Sequence, residues 1–472
     1  MTRPRVRVRE VRLLERDVRL RLPFRFGVVT LTEATEAYVQ ARVELEAGGQ
    51  AWGAAAEMLA PKWFDKDPAL SNAQNVDQLR LSLRLARALY TEGRPARTPF
   101  RLFADTYRFQ RTECARRGLN PLVAGFGPAL LDRAVLDAVC RAGGISVYEA
   151  VRSNVPGIDP AHILPEFSGF DIDAFLAGLS PARAIHARHT VGLVDPITAA
   201  DNRERIGDGL PETLDEVVTA YGHRYFKLKV SGSVTADVAR LTAIAGVLDK
   251  TPAPYFVTLD GNEQFERVDD VLALWEAMTR TPSLGRLVDA ILFIEQPIAR
   301  KTALLYDIAK LGAHRPVIID ESDADLDAFA EARAVGYRGV SSKTCKGFYK
   351  SLINAARCAR WNAAAPGPSY FMSAEDLTTQ AGVALQQDLA LVSLLGLTHV
   401  ERNGHHYVAG MSARPPAEQH AFATAHADLY ETVDGVARVR VRDGRLAIGS
   451  LACPGFAAAV EPDWTSMRDM PA

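Results

Sequence analysis

Cysteine is scarce: five residues in a chain of 472, at positions 114, 140, 345, 358 and 453, with no CxxC spacing. An odd, scattered set argues against a disulfide framework and fits reduced thiols in a cytoplasmic protein. An excess of one charge is also missing. Lys and Arg total 55 against 57 Asp and Glu, a net charge of −2, so neither nucleic acid nor an anionic membrane surface is an expected partner. No stretch of about 18 apolar residues occurs. The opening MTRPRVRVREVRLL carries positive charge without the apolar run of a secretory leader. A GxGxxG after a first strand is absent too, which argues against an open dinucleotide-binding sheet. What is present is an ordinary globular balance, 48% hydrophobic and 24% charged, long enough for two domains or one large domain with an accessory layer.

The texture of the chain changes along its length. Up to about residue 60, RVREVRLLERDVRLRLPF and EAYVQARVELEAGGQAWG alternate as antiparallel strands do, with a turn at Gly48-Gly49. Residues 76–180 are predicted to be mostly helical; Leu131, Val135 and Val139 fall at helical spacing before a stop at Gly143-Gly144. From about residue 187, short apolar segments alternate with amphipathic ones: HTVGLVDP, YFKLKV, YFVTLD, ILFIEQP, PVIIDES, GVSSKT, SYFMS and a last one near LTHVE. Parallel strands need helical crossovers, and closing the sheet removes its edges, so eight such units predict a (β/α)8 barrel. The expected fold class is α/β: a modified TIM-like barrel at 187–410, an N-terminal α+β capping domain at 1–186, and a C-terminal segment, 411–472, that returns to the cap.

In such a barrel the C-terminal strand ends carry the active site. Here those ends are charged. In YFKLKV, Lys227 and Lys229 share one face of a strand. The following strands end in Asp260 (with Asn262 two further on), Glu295, Asp320 and Lys343. From Lys229 onward the steps are 31, 35, 25 and 23 residues, each about one βα unit. A lone KLK, IEQP or DES says little, and KLK alone is more often an exposed edge. The five-strand periodicity is the signal, because structural ion pairs have no reason to keep it. Three converging carboxylates repel one another unless a cation sits among them, and hard oxygen ligands suit Mg²⁺, with Mn²⁺ an alternative. Lysines on either side of that centre suit removal of a weakly acidic proton next to a carboxylate, whose enediolate must be neutralised as it forms.

These residues resemble the enolase superfamily, in its mandelate racemase and muconate-lactonising branch. The likeness extends to a cap opening LPFRFGVVTLTEATEAYVQARVEL, the helix LLDRAVLDAVCRAGGISVYEAV before the barrel, and RDGRLAIGSLACPGF near the end. The resemblance implies that the KxK motif falls on Lys227 and Lys229, the second being the base. It puts the metal ligands on Asp260, Glu295 and Asp320, and the second, strand-six lysine on Lys343. In IIDESD either Asp320 or Glu321 could bind; strand alternation favours Asp320.

The resemblance also implies a small carboxylate substrate and a homo-oligomer. Racemisation, epimerisation or cycloisomerisation is the expected outcome because lysines stand on both faces; dehydration of an acid sugar is the first alternative, and a ligand-binding barrel without catalysis the second. The histidine base that mandelate racemase carries on strand seven is missing; FMSAEDL places Glu375 there. Glu401 sits where a strand-eight glutamate can hold the substrate carboxylate, or is a rim ion pair. Arg25 and Lys62, in cap segments resembling specificity loops, are candidates to meet an anionic distal group. His399, His405 and His406 cluster without a further ligand set and are expected to pack or face solvent.

Overall fold

The computed structural model describes residues 3–26, 29–93, 95–202, 204–364 and 369–471. Its cap begins with three antiparallel strands, β1 (Val6–Phe26), β2 (Val29–Leu45) and β3 (Gln50–Met58), the last two joined through Gly48 and Gly49, both at positive φ. Arg468–Asp469, at the far end of the chain, adds to the free side of β1. Three helices cover the sheet: α1 (Asn72–Thr91), α2 (Pro99–Arg116) and α3 (Pro121–Gly143). Each start is written locally. Ser71 and Gln74 form a capping box, Thr98 and Asn120 accept from first-turn amides, and prolines follow at the first position of α2 and α3. α3 runs so close to β3 that a Cβ on Gly53 would lie 2.1 Å from the Ala134 carbonyl oxygen; only glycine fits.

Eight parallel strands follow: β4 (Ala184–Val191), β5 (Tyr225–Lys229), β6 (Phe256–Asp260), β7 (Ile291–Glu295), β8 (Val317–Ile319), β9 (Gly339–Ser342), β10 (Phe371–Ala374) and β11 (His399–Arg402). They pair in the order β10-β9-β8-β7-β6-β5-β4-β11, the curled sheet of a modified TIM barrel. β10 and β11 form no ladder with each other. Side chains span that seam: the Asp376 amide donates to Glu401 (3.0 Å) and Arg188 to the Ala374 carbonyl (2.9 Å). A short C-terminal strand, Arg445–Ala447, pairs antiparallel with the start of β4.

The first barrel strand lies earlier than its sequence suggests. HTVGLVDP was the expected strand, but residues 192–196 form a turn in which Asp195 accepts from the Gly192 amide (2.7 Å), so the strand is AIHARHTV. Among the described residues no helix is long and apolar enough to cross a membrane, and all five cysteines are free thiols.

Candidate active site

The barrel interior is built in layers by strand alternation. Tyr225, Phe256 and His399 stack at the floor, with Tyr225 4.6 Å from His399 and 5.0 Å from Phe256, and Phe293 lies 5.7 Å from Phe371. Arg188 rests on Phe293, its guanidinium 5.5 Å from the ring centre. Two to four residues further up these strands the interior turns ionic. Lys229, Asp260 and Glu295 occupy one register row across β5, β6 and β7, and Asp320 follows the inward-facing Ile318 by two residues on the next strand. The pair of lysines in YFKLKV therefore points into the barrel, not to an exposed edge.

Lys227 is buried at the centre of a carboxylate cage. Its ammonium lies 3.0 Å from Asp260, 2.8 Å from Glu295, 2.8 Å from Glu375 and 2.9 Å from Glu401. Burial alone would lower its pKa, but these four carboxylates outweigh burial and hold it well above the usual lysine value. Lys229 donates to Asp260. Lys343 donates to Asp320 at 2.5 Å, and its ammonium sits 4.3 Å above the Trp63 ring. Burial opposes the charge on Lys343 too, and Asp320 raises its pKa regardless. Asp320 is the converse: burial would raise its carboxyl, yet Lys343 and Lys346 hold it far below the normal range. Glu295 is pushed well up by burial and by the neighbouring charges of Asp260 and Glu375. That pattern marks a cluster with more anion than its lysines neutralise.

Lys227, Lys229, Asn262, Asp320, Lys343 and Glu401 line one tight cavity, closed from the cap side by Phe24, Met58, Ala60 and Trp63. Its free space is about 20 Å³, room for about one water. Glu401 is no rim residue. It accepts from Thr190 (2.6 Å), Asn403 (2.9 Å), Lys227 and the Asp376 amide, and although burial opposes ionisation, Lys227 and Lys229 keep its pKa well below the usual value. Glu375 does not line the cavity; Arg188, Lys227 and Ser373 take up its carboxylate beneath it. Glu321 is buried beside the cavity, bonded to Asn262 (2.7 Å). Arg25 is exposed and lies off the cavity wall, where its neighbour Phe24 stands instead. Lys62 is turned away: its ammonium is bound by the carbonyls of Asp67 and Leu70 in its own loop.

A family model described as enolase C-terminal domain-like matches residues 209–464. The chain belongs to the enolase superfamily. Its place is in the mandelate racemase and muconate-lactonising branch. No curated protein matches it by sequence. Among solved structures, a dipeptide epimerase from Enterococcus faecalis V583, complexed with Mg and L-Leu-L-Tyr, superposes with a TM-score of 0.61 at 15% identity, covering 96% of this chain and 99% of that one. A muconate lactonizing enzyme from Pseudomonas fluorescens, complexed with muconolactone, gives 0.58 at 17% identity and 97% of both chains. An enolase from Bradyrhizobium, complexed with magnesium and mandelic acid, gives 0.58 at 17%, covering 97% and 96%. At these identities the likeness is one of fold.

In this enolase-superfamily barrel, four polar residues escape a reading by strand ends. Arg188 and Thr190 face inward from β4 and orient Glu375 and Glu401; the misplaced first strand left Arg188 outside it and put Thr190 at its start instead of its end. Ser341 and Lys346 both contact Asp320. SSKTCK does carry a signal for Ser341, two residues before Lys343 on the same strand face.

Proposed function

We propose that this protein removes the α-proton of a small carboxylate in a Mg²⁺-dependent reaction through an enediolate, with racemisation, epimerisation or cycloisomerisation as the outcome. The observation that carries the proposal is the placement of Lys229 and Lys343 in one cavity, each paired with a different member of the trio Asp260, Glu295 and Asp320.

The donor set fits a hard dication. Buried Asn262 Oδ1 and Glu321 Oε2 accept no hydrogen bond, a costly state for interior oxygens unless another partner takes the lone pair. Asp260, Glu295 and Asp320 would hold the ion, with Glu321 the rival for the third place. Bound there, Mg²⁺ would neutralise the charge that develops on the substrate carboxylate and weaken the hold of Asp260 and Asp320 on the lysine protons.

The side chains then have separate tasks. Lys229 takes the α-proton from one face, and Lys343 takes or returns it on the other. Lys227, fixed by its four carboxylates, supplies a constant positive charge to the substrate carboxylate. Trp63 and the cap close the cavity against water. Asn262 lines the wall beside them, whereas Glu375 acts beneath the cavity by holding Lys227. The cap-side wall is apolar, Phe24, Met58, Ala60 and Trp63 with Leu377, which favours a carboxylate with an apolar distal group. An acid sugar would leave its hydroxyls unpartnered there, so dehydration is the second reading.

The test is α-hydrogen exchange in D₂O with Mg²⁺, across N-acyl amino acids, dipeptides, aryl-substituted acids, muconate analogues and acid sugars. Exchange with an apolar-substituted carboxylate, abolished by EDTA and restored by Mg²⁺, is the expected result. Exchange with none of them, or exchange indifferent to EDTA, would refute the proposal.

A further inference from the structure

The histidines expected to pack or face solvent after the eighth strand separate in the structure. His399 stays inside the barrel, 2.9 Å from Arg188. His405 and His406 instead join two histidines that lie far away in sequence, His189 on the outer face of β4 and His223 just before β5. One ring nitrogen from each of His189, His223 and His405 lies within 4.8 Å of the other two. His189 and His223 are each only 3% exposed.

One nitrogen on each of these three rings is left without a partner. His189 Nδ1, His223 Nε2 and His405 Nε2 are buried and make no hydrogen bond. His223 Nδ1 lies 3.0 Å from the Ala187 carbonyl. It must carry the proton to make that bond, so the lone pair is on Nε2. A backbone acceptor fixing the far nitrogen is the usual support of a metal-binding imidazole. Burial also drives these rings toward the neutral form: His223 is pushed down to about 4, and His189 and His405 well below the usual histidine value, with neighbouring imidazoles adding to the effect. The two nearby guanidinium groups are already neutralised, Arg21 by Asp208 and Arg402 by Asp376 and Asp388.

We propose that His189, His223 and His405 form a second metal site, outside the barrel wall, for a divalent transition metal such as Zn²⁺. Three imidazoles select such an ion over Mg²⁺, which prefers oxygen. Bonds of about 2.0–2.1 Å require the rings to draw together by less than about 1 Å each. His405 also lines a cavity of about 240 Å³ with Tyr221, Arg402 and Glu431. The fourth coordination position therefore opens toward water or a small anion, not toward the enediolate site. The ion would tie β4, the start of β5 and the segment after β11 together on the barrel's outer side.

Tag-free full-length protein, stripped with EDTA and held in excess Mg²⁺, is titrated with Co²⁺ and followed by visible absorption and elemental analysis. One Co²⁺ per chain is expected, with the intense d–d bands of a four- or five-coordinate imidazole site, displaced by Zn²⁺. An Asp260→Asn, Glu295→Gln double variant should keep that signal. His223→Gln should lose it, and so should His405→Gln, at the least buried of the three positions, with circular dichroism confirming that each variant is folded. No Co²⁺ retained in Mg²⁺, a signal that survives both histidine variants, or a signal lost with the two carboxylates would each overturn the proposal.

Discussion

At the scale of single residues, the two lysines of the proposed mechanism differ in surroundings more than in chemistry. Lys229 is paired with Asp260, and Lys343 with Asp320 beneath the Trp63 ring. Neither ammonium can reach around a carboxylate held between them, so each can serve only one face of the α-carbon. Lys229→Ala is expected to stop α-exchange for one enantiomer of an active substrate, and Lys343→Ala for the other. Losses of about 10²–10⁴ in rate are the typical worth of a positioned base. Exchange followed by NMR on each pure enantiomer separates the cases; equal loss of both enantiomers in both variants would rule out the two-base arrangement. Lys227 is no third candidate, because four carboxylates surround it and keep it charged.

At the scale of elements, the cap loop that closes the cavity is pinned to the barrel by two cations. Lys66 pairs with Glu263 (2.5 Å) and donates to the Asn262 carbonyl (3.0 Å), next to the row of Lys229, Asp260 and Glu295. Arg300 donates to the carbonyls of Trp63 (2.8 Å) and Phe64 (3.0 Å) while holding Glu263 at 2.8 Å. Cutting the Arg300 tie should loosen the loop without touching the strand ends. In Arg300→Leu, amide exchange across residues 59–70 should speed up and KM for the active substrate should rise about tenfold or more, with the metal affinity unchanged. A variant with wild-type loop protection would show that Trp63 is held by packing alone. None of this was legible in the sequence, where Lys62 was the lysine picked from the cap loop; only the fold shows that its ammonium is bound within its own loop and that Lys66 reaches the barrel. The strand ends were legible because a barrel imposes one inward residue every second position and one strand every βα unit. The first strand was misplaced because HTVGLVDP is as apolar as AIHARHTV, and the turn from Gly192 to Asp195 is a four-residue signal in an eight-residue window.

At the scale of the whole molecule, cap and barrel are joined through a buried polar seam. Arg133 of α3 pairs with Glu57 of β3 (3.1 Å) and donates to Gln387 (3.1 Å), while the Thr344 hydroxyl, next to Lys343, donates to Glu57 (3.1 Å) and the Thr344 amide donates to Asp388 (3.1 Å). One apolar cluster also runs from β2 and α3 into the barrel helices at Leu385 and Leu389, so the two halves should unfold together. Beside Arg133, Asp132 is buried and accepts from the Tyr90 hydroxyl (2.7 Å). Burial pushes its carboxyl up to about 8, against the smaller opposing effects of Tyr90 and Arg133. The folded protein therefore holds a proton there that the unfolded chain, with its acid titrating at 3.8, has released at neutral pH. The resulting stabilisation is complete below the unfolded value and is lost as pH climbs toward 8, at about 1.4 kcal/mol per pH unit within that window. Asp132→Asn keeps an oxygen for Tyr90 and has no proton to lose. The Tm of the variant minus that of the wild type should therefore rise steadily from pH 5 to pH 8, in a single transition for cap and barrel alike. A difference flat in pH would mean that Asp132 is ionised in the folded state, and two separated transitions would mean that the seam does not couple the halves.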